Sequence, residues 1–193
     1  MSRDAGPAEP LLGAYEQTWQ RFRGRLEGLD DAEFFWEPVA DCWSVRADAE
    51  GRWVIEGDGA DTASVPVPDP PPVTTIAWRV VHIGLSFVGF GDRLFADGRL
   101  GVDDVRLPGS AGAALAFVED GYRHAWYEPL AALPDERWRQ PIGPAFGPYA
   151  QHTVTGLALH VLDEMIHHAA EVGLLRDLYP RRAALAGADR APR

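Results

Sequence analysis

The chain has 193 residues, 46% of them hydrophobic, enough to build one domain around a sizeable core. Its basic residues are all arginine, 18 against 29 acidic residues, and the resulting charge of −11 is spread along the chain rather than gathered in a tail. An acidic chain without a basic cluster is a poor fit to nucleic acid or to anionic membranes, so neither is expected as a partner. Cys42 is the only cysteine, which excludes an internal disulfide and a thiolate-rich metal site.

The N-terminal stretch from Met1 to Pro10 lacks the apolar core of a signal peptide, and no run reaches the roughly 18 apolar residues of a membrane span. The expectation is a cytoplasmic protein whose 193 residues form one domain, with its core in about 10–180. Residues 11–28 read as a first helix because Leu11, Leu12, Tyr15, Trp19, Phe22 and Leu26 recur at three- and four-residue intervals, and Gly28 can end it. Asp30 to Trp36 looks like one capped turn, stopped before Glu37-Pro38.

From Val45 to about Thr75 the helical pattern breaks. Arg52 to Glu56 alternates like a short strand, and residues 57–72 are rich in Gly, Asp and Pro, giving a long connection with room for a small hairpin. A connection of this length is either a lid over a site or a surface insertion. A second helix follows over 74–95, with Thr74 or Thr75 as its N-cap. Ile76, Val80, Ile83, Phe87 and Leu94 form its apolar face, whereas His82 shares a mixed stripe with Trp78, Arg79, Ser86 and Gly89, as a pocket lining would.

Ser110 starts a third helix that runs to about Ala132, with Leu115, Val118, Tyr122 and Trp126 on one side and Pro129 placed to kink it. A turn of helix at 134–138 and a Pro/Gly-rich stretch over 141–148 lead to a fourth helix from Thr153 to Tyr179. Pro180 should end it and leave the last dozen residues as a frayed tail. The fold class expected is all-α, a four-helix bundle, an architecture in which facing helices commonly build a core metal site.

The chemistry concentrates between His160 and Glu171. At about 100° per residue Glu164 and His168 stand one above the other, in the same arc as Leu157, Val161, Val172 and Leu175. A carboxylate beside an imidazole among aliphatic residues is costly unless paired or bound to a metal, so the two are candidate ligands. Asp163 and His167 sit at the edge of that arc. His160 continues the stripe as a rival or additional ligand, or as a supporting or core residue. His82 taken alone reads more readily as a hydrogen-bonded core or surface histidine than as a ligand. Two histidines and one carboxylate with open positions suit Zn²⁺, or Fe²⁺, Ni²⁺ or Mn²⁺. The spacing is not that of a zincin helix, and no nucleophile elbow, phosphate loop or dinucleotide fingerprint is present. Cys42 beside Trp43 reads as a small buried residue rather than a nucleophile.

Trp36-Glu-Pro38 followed by Cys42-Trp-Ser44, the histidine in Trp78-Arg-Val-Val-His-Ile83, and Glu164-x-x-x-His168 followed by Leu174-Leu-Arg-Asp-Leu-Tyr179 together resemble the DinB superfamily over nearly the whole chain. Most members of that superfamily use three histidines, the last two four residues apart. With Glu164 in place of the first of that pair, this chain is closer to the branch containing mycothiol-dependent maleylpyruvate isomerase, where His, Glu and His hold zinc. The resemblance implies His82, Glu164 and His168 as the metal ligands, with His167 a non-ligand neighbour. It also implies a four-helix bundle of DinB type, one divalent metal (zinc first, with Ni, Fe or Mn as alternatives) and often a homodimer. For activity it implies the use of a low-molecular-weight thiol such as mycothiol or bacillithiol. No counterpart of that isomerase's C-terminal domain is apparent, so the resemblance reaches the metal site and not the isomerase reaction.

Three functions follow as expectations. The first is a metal-dependent thiol S-transferase acting on small electrophiles. The second is a non-catalytic, stress-related dimeric metal-binding module, and the third a zinc-dependent hydrolase, since three protein ligands plus water also make a hydrolytic site. A second apolar stripe on the fourth helix, Leu159, Leu162, Ile166 and Ala170, points to a homodimer or to cover from the 45–74 connection.

Overall fold

A computed structural model describes residues 8–57 and 68–188. Helix α1 spans Ala8–Leu26 and buries Leu11, Tyr15, Trp19, Phe22 and Leu26, the face read from its periodicity. Gly28 follows in the left-handed region (φ 70°), as the residue after a helix end often must. The short α2, Asp31–Phe34, starts at Asp30, whose side chain accepts a hydrogen bond from Glu33 N.

The connection that follows does contain a hairpin. Strand β1 (Val45–Ala47) pairs antiparallel with β2 (Trp53–Ile55) in the register Val45↔Ile55, Arg46↔Val54, Ala47↔Trp53. Both strands are tied to the next helix, α3 (Ile76–Phe95). Thr75 N donates to Trp43 O at 2.9 Å, the Ser44 and Thr75 hydroxyls meet at 2.9 Å, and Trp78 Nε1 donates to Glu56 O at 2.7 Å. Thr75 caps α3 by accepting from Trp78 N. The Gly/Asp/Pro-rich residues 58–67 of the connection lie outside the described residues.

The third long helical segment departs from a plain α-helix. Helix α4 (Ala111–Asp120) passes into a π-helical stretch, Gly121–Tyr127, before the last turn α5, Glu128–Ala131. Pro129 accounts for this physically: it has no N–H to offer Ala125 O, so the four-residue ladder fails there and the chain widens. Helix α6 runs Val154–Leu178, capped by Thr153, which accepts from Gly156 N. The part of the expected frayed tail that lies within the described residues is helical, and residues 189–193 lie outside them. Pro180 sits in the first turn of a 3₁₀ segment, Tyr179–Arg181, where its missing N–H is tolerated, and α7 (Arg182–Ala188) follows.

Helix α3 is the hub, packed against α4, the π-helical stretch and α6, while α1 packs against α6. Two glycines permit the close approach. A Cβ on Gly84 would lie 2.4 Å from the Phe117 ring, and one on Gly91 would lie 2.2 Å from the Ala125 carbonyl oxygen. Aromatic rings fill the centre: Trp19 stacks on Tyr122 with centroids 4.2 Å apart, and Trp126 lies beside Tyr15 and Phe95. Helices α1 and α6 are joined by Tyr15 OH donating to Ala158 O at 2.6 Å. Arg176 adds a second tie, holding Glu33 with both carboxylate oxygens (3.1 and 3.2 Å) and donating to the Arg25 and Glu27 carbonyls at the end of α1. The result is a mostly helical, all-α architecture with one small sheet beside α3. Among the described residues no helix is long and apolar enough to cross a membrane.

Candidate metal centre

The antiparallel α3 and α6 bring His82, Glu164 and His168 to one place. Glu164 Oε2 is 3.4 Å from His82 Nε2 and 3.5 Å from His168 Nε2, and one ligand atom from each of the three falls within 4.8 Å of the others. Donors held about 2.0 Å from a tetrahedral cation stand about 3.3 Å apart, so these separations fit a shared divalent ion without rearrangement of the helices. The side chains are partly buried, at 19%, 30% and 13% exposed respectively, which places them at the edge of the core with one side facing solvent. That differs from the fully inward projection expected from the helical wheel, and it leaves room for an exchangeable ligand.

The surroundings fix each ring. Trp78 lies flat on His82 (centroids 4.7 Å, 11°) and edge-on to His168 at 5.8 Å. Because Trp78 is itself held by the Glu56 carbonyl, the end of the hairpin helps set the attitude of His82. Residues 45–57 thus brace Trp78 beside the candidate ligands. On the far side, His168 Nδ1 is 2.8 Å from Glu171 Oε2. A carboxylate is an acceptor, so Nδ1 is the nitrogen that donates to Glu171; with a metal bound, Nε2 would be left to face it beside Glu164 and His82, the arrangement in which an outer carboxylate orients a metal-binding imidazole.

Sequence reasoning placed Arg79 on the His82 stripe and Glu171 at the end of the His/Glu cluster, but it missed that the two pair with each other and act on His168. Arg79 pairs with Glu171, and its Nη1 lies 3.3 Å from His168 Nδ1. Burial pulls the guanidinium down to about 10, still above neutral pH, so Glu171 faces a permanent cation. The available signal was an arginine inside the apolar α3, yet its partner lies on another helix. His167, His168 and Glu171 also approach one another closely enough for a metal. With Arg79 already against Glu171 and His167 63% exposed, a second cation there would be repelled, and the first group is the better one.

Three further expectations are corrected or settled. His160 is exposed and sits against Phe90 (5.7 Å, edge-on), so it joins neither the candidate centre nor the core. Tyr122, on the apolar side of the third helix, is buried against Trp19 and Phe87. Cys42 is buried, donates to Val39 O at 3.2 Å and has its thiol pushed up chiefly by burial, as suits a packing residue. Ser86 and Gly89 do line a cavity with His82, of about 290 Å³, together with Phe90, Arg93 and the 100–105 turn.

A sequence-family model described as the DinB superfamily matches residues 14–172, from the start of the α1 core to the end of the His/Glu cluster. No curated protein and no solved structure matches the chain. The matched span takes in α3 and the third helical segment whole, most of α1 and α6, and all three candidate ligands, and the chain belongs to the DinB superfamily.

Proposed function

We propose that this protein is a four-helix bundle of DinB type that binds one divalent metal through His82, Glu164 and His168 and serves as a metal-dependent thiol S-transferase. The observation that carries the reading is the convergence of those three ligand atoms within 4.8 Å at the rim of a cavity lined by His82 itself. Two imidazoles and one carboxylate favour zinc, with Ni, Fe or Mn as alternatives, and leave a coordination position open. When bound, such a cation lowers the pKa of a thiol and holds it as thiolate near neutral pH.

The chain's own residues supply the rest. Glu171 holds the Nδ1 proton of His168, Trp78 fixes the ring of His82, and the cavity beside His82 gives an electrophile a place next to the sulfur. In the transfer the sulfur–carbon bond forms as the bond from carbon to the leaving group breaks. The leaving group takes the electron pair, and the thiol proton has already gone to solvent. The partners are a small electrophile and a low-molecular-weight thiol such as mycothiol.

Turnover of an electrophile panel with mycothiol, bacillithiol or glutathione is expected only with thiol and with metal-loaded protein. Rates that persist after verified metal removal contradict the reading; thiol-free ester hydrolysis favours the hydrolase, and no activity across the panel favours the non-catalytic module. Glu171→Ala is expected to weaken metal binding about 10–100-fold, as loss of an orienting carboxylate does. An unchanged dissociation constant in the folded variant would remove Glu171 from the site.

A homodimer belongs to the same proposal. Leu162 is buried within the protomer, but Leu159 and Ile166 remain 54% and 45% exposed on α6, and no described residue of the 45–74 connection covers them. Light scattering at micromolar concentration should give twice the chain mass; the mass of one chain would contradict it.

A further inference from the structure

Apart from His82 itself, the cavity beside it has two polar side chains, Ser86 and Arg93. Leu85, Phe90, Leu100, Val102 and Val105 form its walls, Ser86 contributes a hydroxyl, and Arg93 is its only permanently charged residue. Arg93 is exposed and makes no hydrogen bond or ion pair with any described residue, in a chain where acidic residues outnumber basic ones 29 to 18. His82, Ser86, Gly89 and Arg93 follow one face of α3. Arg93 stands eleven positions after His82, close to three turns or roughly 16 Å along the helix axis.

Gly89 shows that this face is kept open. Of the glycines inside α3, Gly84 and Gly91 are demanded by packing, since a Cβ would run into Phe117 and Ala125. A Cβ on Gly89 would meet nothing within 4 Å. Glycine weakens a helix interior by about 1 kcal/mol relative to alanine, and at Gly89 no neighbouring chain requires that weakness. It lies instead on the cavity floor between Ser86 and Arg93. The opposite wall is held by Asp92, whose carboxylate accepts from Leu100 N at 2.9 Å and folds the 100–105 turn back beside α3.

We infer that this cavity takes an elongated small molecule bearing a carboxylate or similar anion, with the anion on Arg93 and the reacting end toward His82, about three helical turns away. Arg93 is then a specificity-determining residue for one of the two reactants. The inference rests on the proposed reading of His82, Glu164 and His168, because that reading places the reacting end. The anion can come from the thiol or from the electrophile, and these are separated by two probe pairs: 6-mercaptohexanoate with 6-mercaptohexanol, and 6-phenylhexanoate with 6-phenylhexanamide.

Each probe is titrated calorimetrically into zinc-loaded full chain, with zinc content measured on the same samples. At least one carboxylate is expected to bind about tenfold more tightly than its neutral counterpart, the effect of one charge-assisted contact. Arg93→Gln should reduce that preference to under about twofold at unchanged zinc content, and added salt should reduce it in the native chain. Gly89→Leu, by filling the floor, should weaken the charged and neutral probes alike. A preference in the thiol pair alone assigns the anion to the thiol, and one in the phenyl pair alone to the electrophile. No preference in either pair, or a preference that survives in Arg93→Gln, overturns the inference. If the metal reading alone is wrong, zinc is absent from the three ligands while the Arg93-dependent preference persists.

Discussion

Alanine at His82, Glu164 or His168 is expected to abolish stoichiometric metal binding, while His167→Ala retains it. Each of the three substitutions removes one of the three donors that converge there among the described residues. Losing an outer orienting group already weakens a site about 10–100-fold, so losing a direct donor should exceed about 100-fold. His167 points away, 63% exposed, with its Nε2 3.3 Å from Glu171 Oε1, so its removal leaves the three donors in place. Mass-spectrometric metal analysis of the four variants after equilibration with equal zinc decides this. Native stoichiometry in His82→Ala or Glu164→Ala would contradict the assignment.

Two glycines only two residues apart on α3 should respond to alanine with opposite signs. At Gly91 the new methyl group would stand 2.2 Å from the Ala125 carbonyl oxygen, a backbone atom in the π-helical stretch that cannot swing aside. Forcing the helices apart at a packed contact costs about 1–3 kcal/mol, enough to outweigh alanine's helical advantage of about 1 kcal/mol. At Gly89 the same methyl group enters open space, so the propensity gain stands alone and the variant should be more stable by up to about 1 kcal/mol. Urea unfolding of both variants checks the pair. A midpoint for Gly91→Ala at or above that of the native chain would mean that α3 does not approach the π-helical stretch this closely.

Four long helical segments were legible because each carries an apolar stripe and most carry a polar cap: Thr75 and Thr153 mark helix starts to within a residue or two. The π-helical stretch was not legible as such. Pro129 announced a disturbance, but an apolar face reads the same through one widened turn. Helix α7 was missed because Pro180 was taken as a stop, although proline is acceptable in a first turn.

At the site, Glu164 and His168 were visible because their spacing is local, i to i+4 on one helix. His82 could be placed with them only by resemblance, since the spacing within α6 says nothing about which α3 residue faces it. His160 shares the local stripe equally well and was separated only by the antiparallel packing of α3 on α6, which sets Phe90 against His160 and His82 against Glu164 and His168. The Arg79–Glu171 pair is the same kind of long-range fact, and so is the cavity between Gly89 and the 100–105 turn.

X-ray absorption at the zinc edge of zinc-loaded protein in thiol-free buffer tests the central claim most directly, because it counts the ligands without altering them. The result predicted is two imidazoles with oxygen donors completing the shell, nitrogen and oxygen at about 2.0–2.1 Å, and no sulfur. A sulfur shell at about 2.3 Å, which only Cys42 or a methionine could supply, or a third imidazole drawn from His160 or His167, would contradict a centre built from His82, Glu164 and His168.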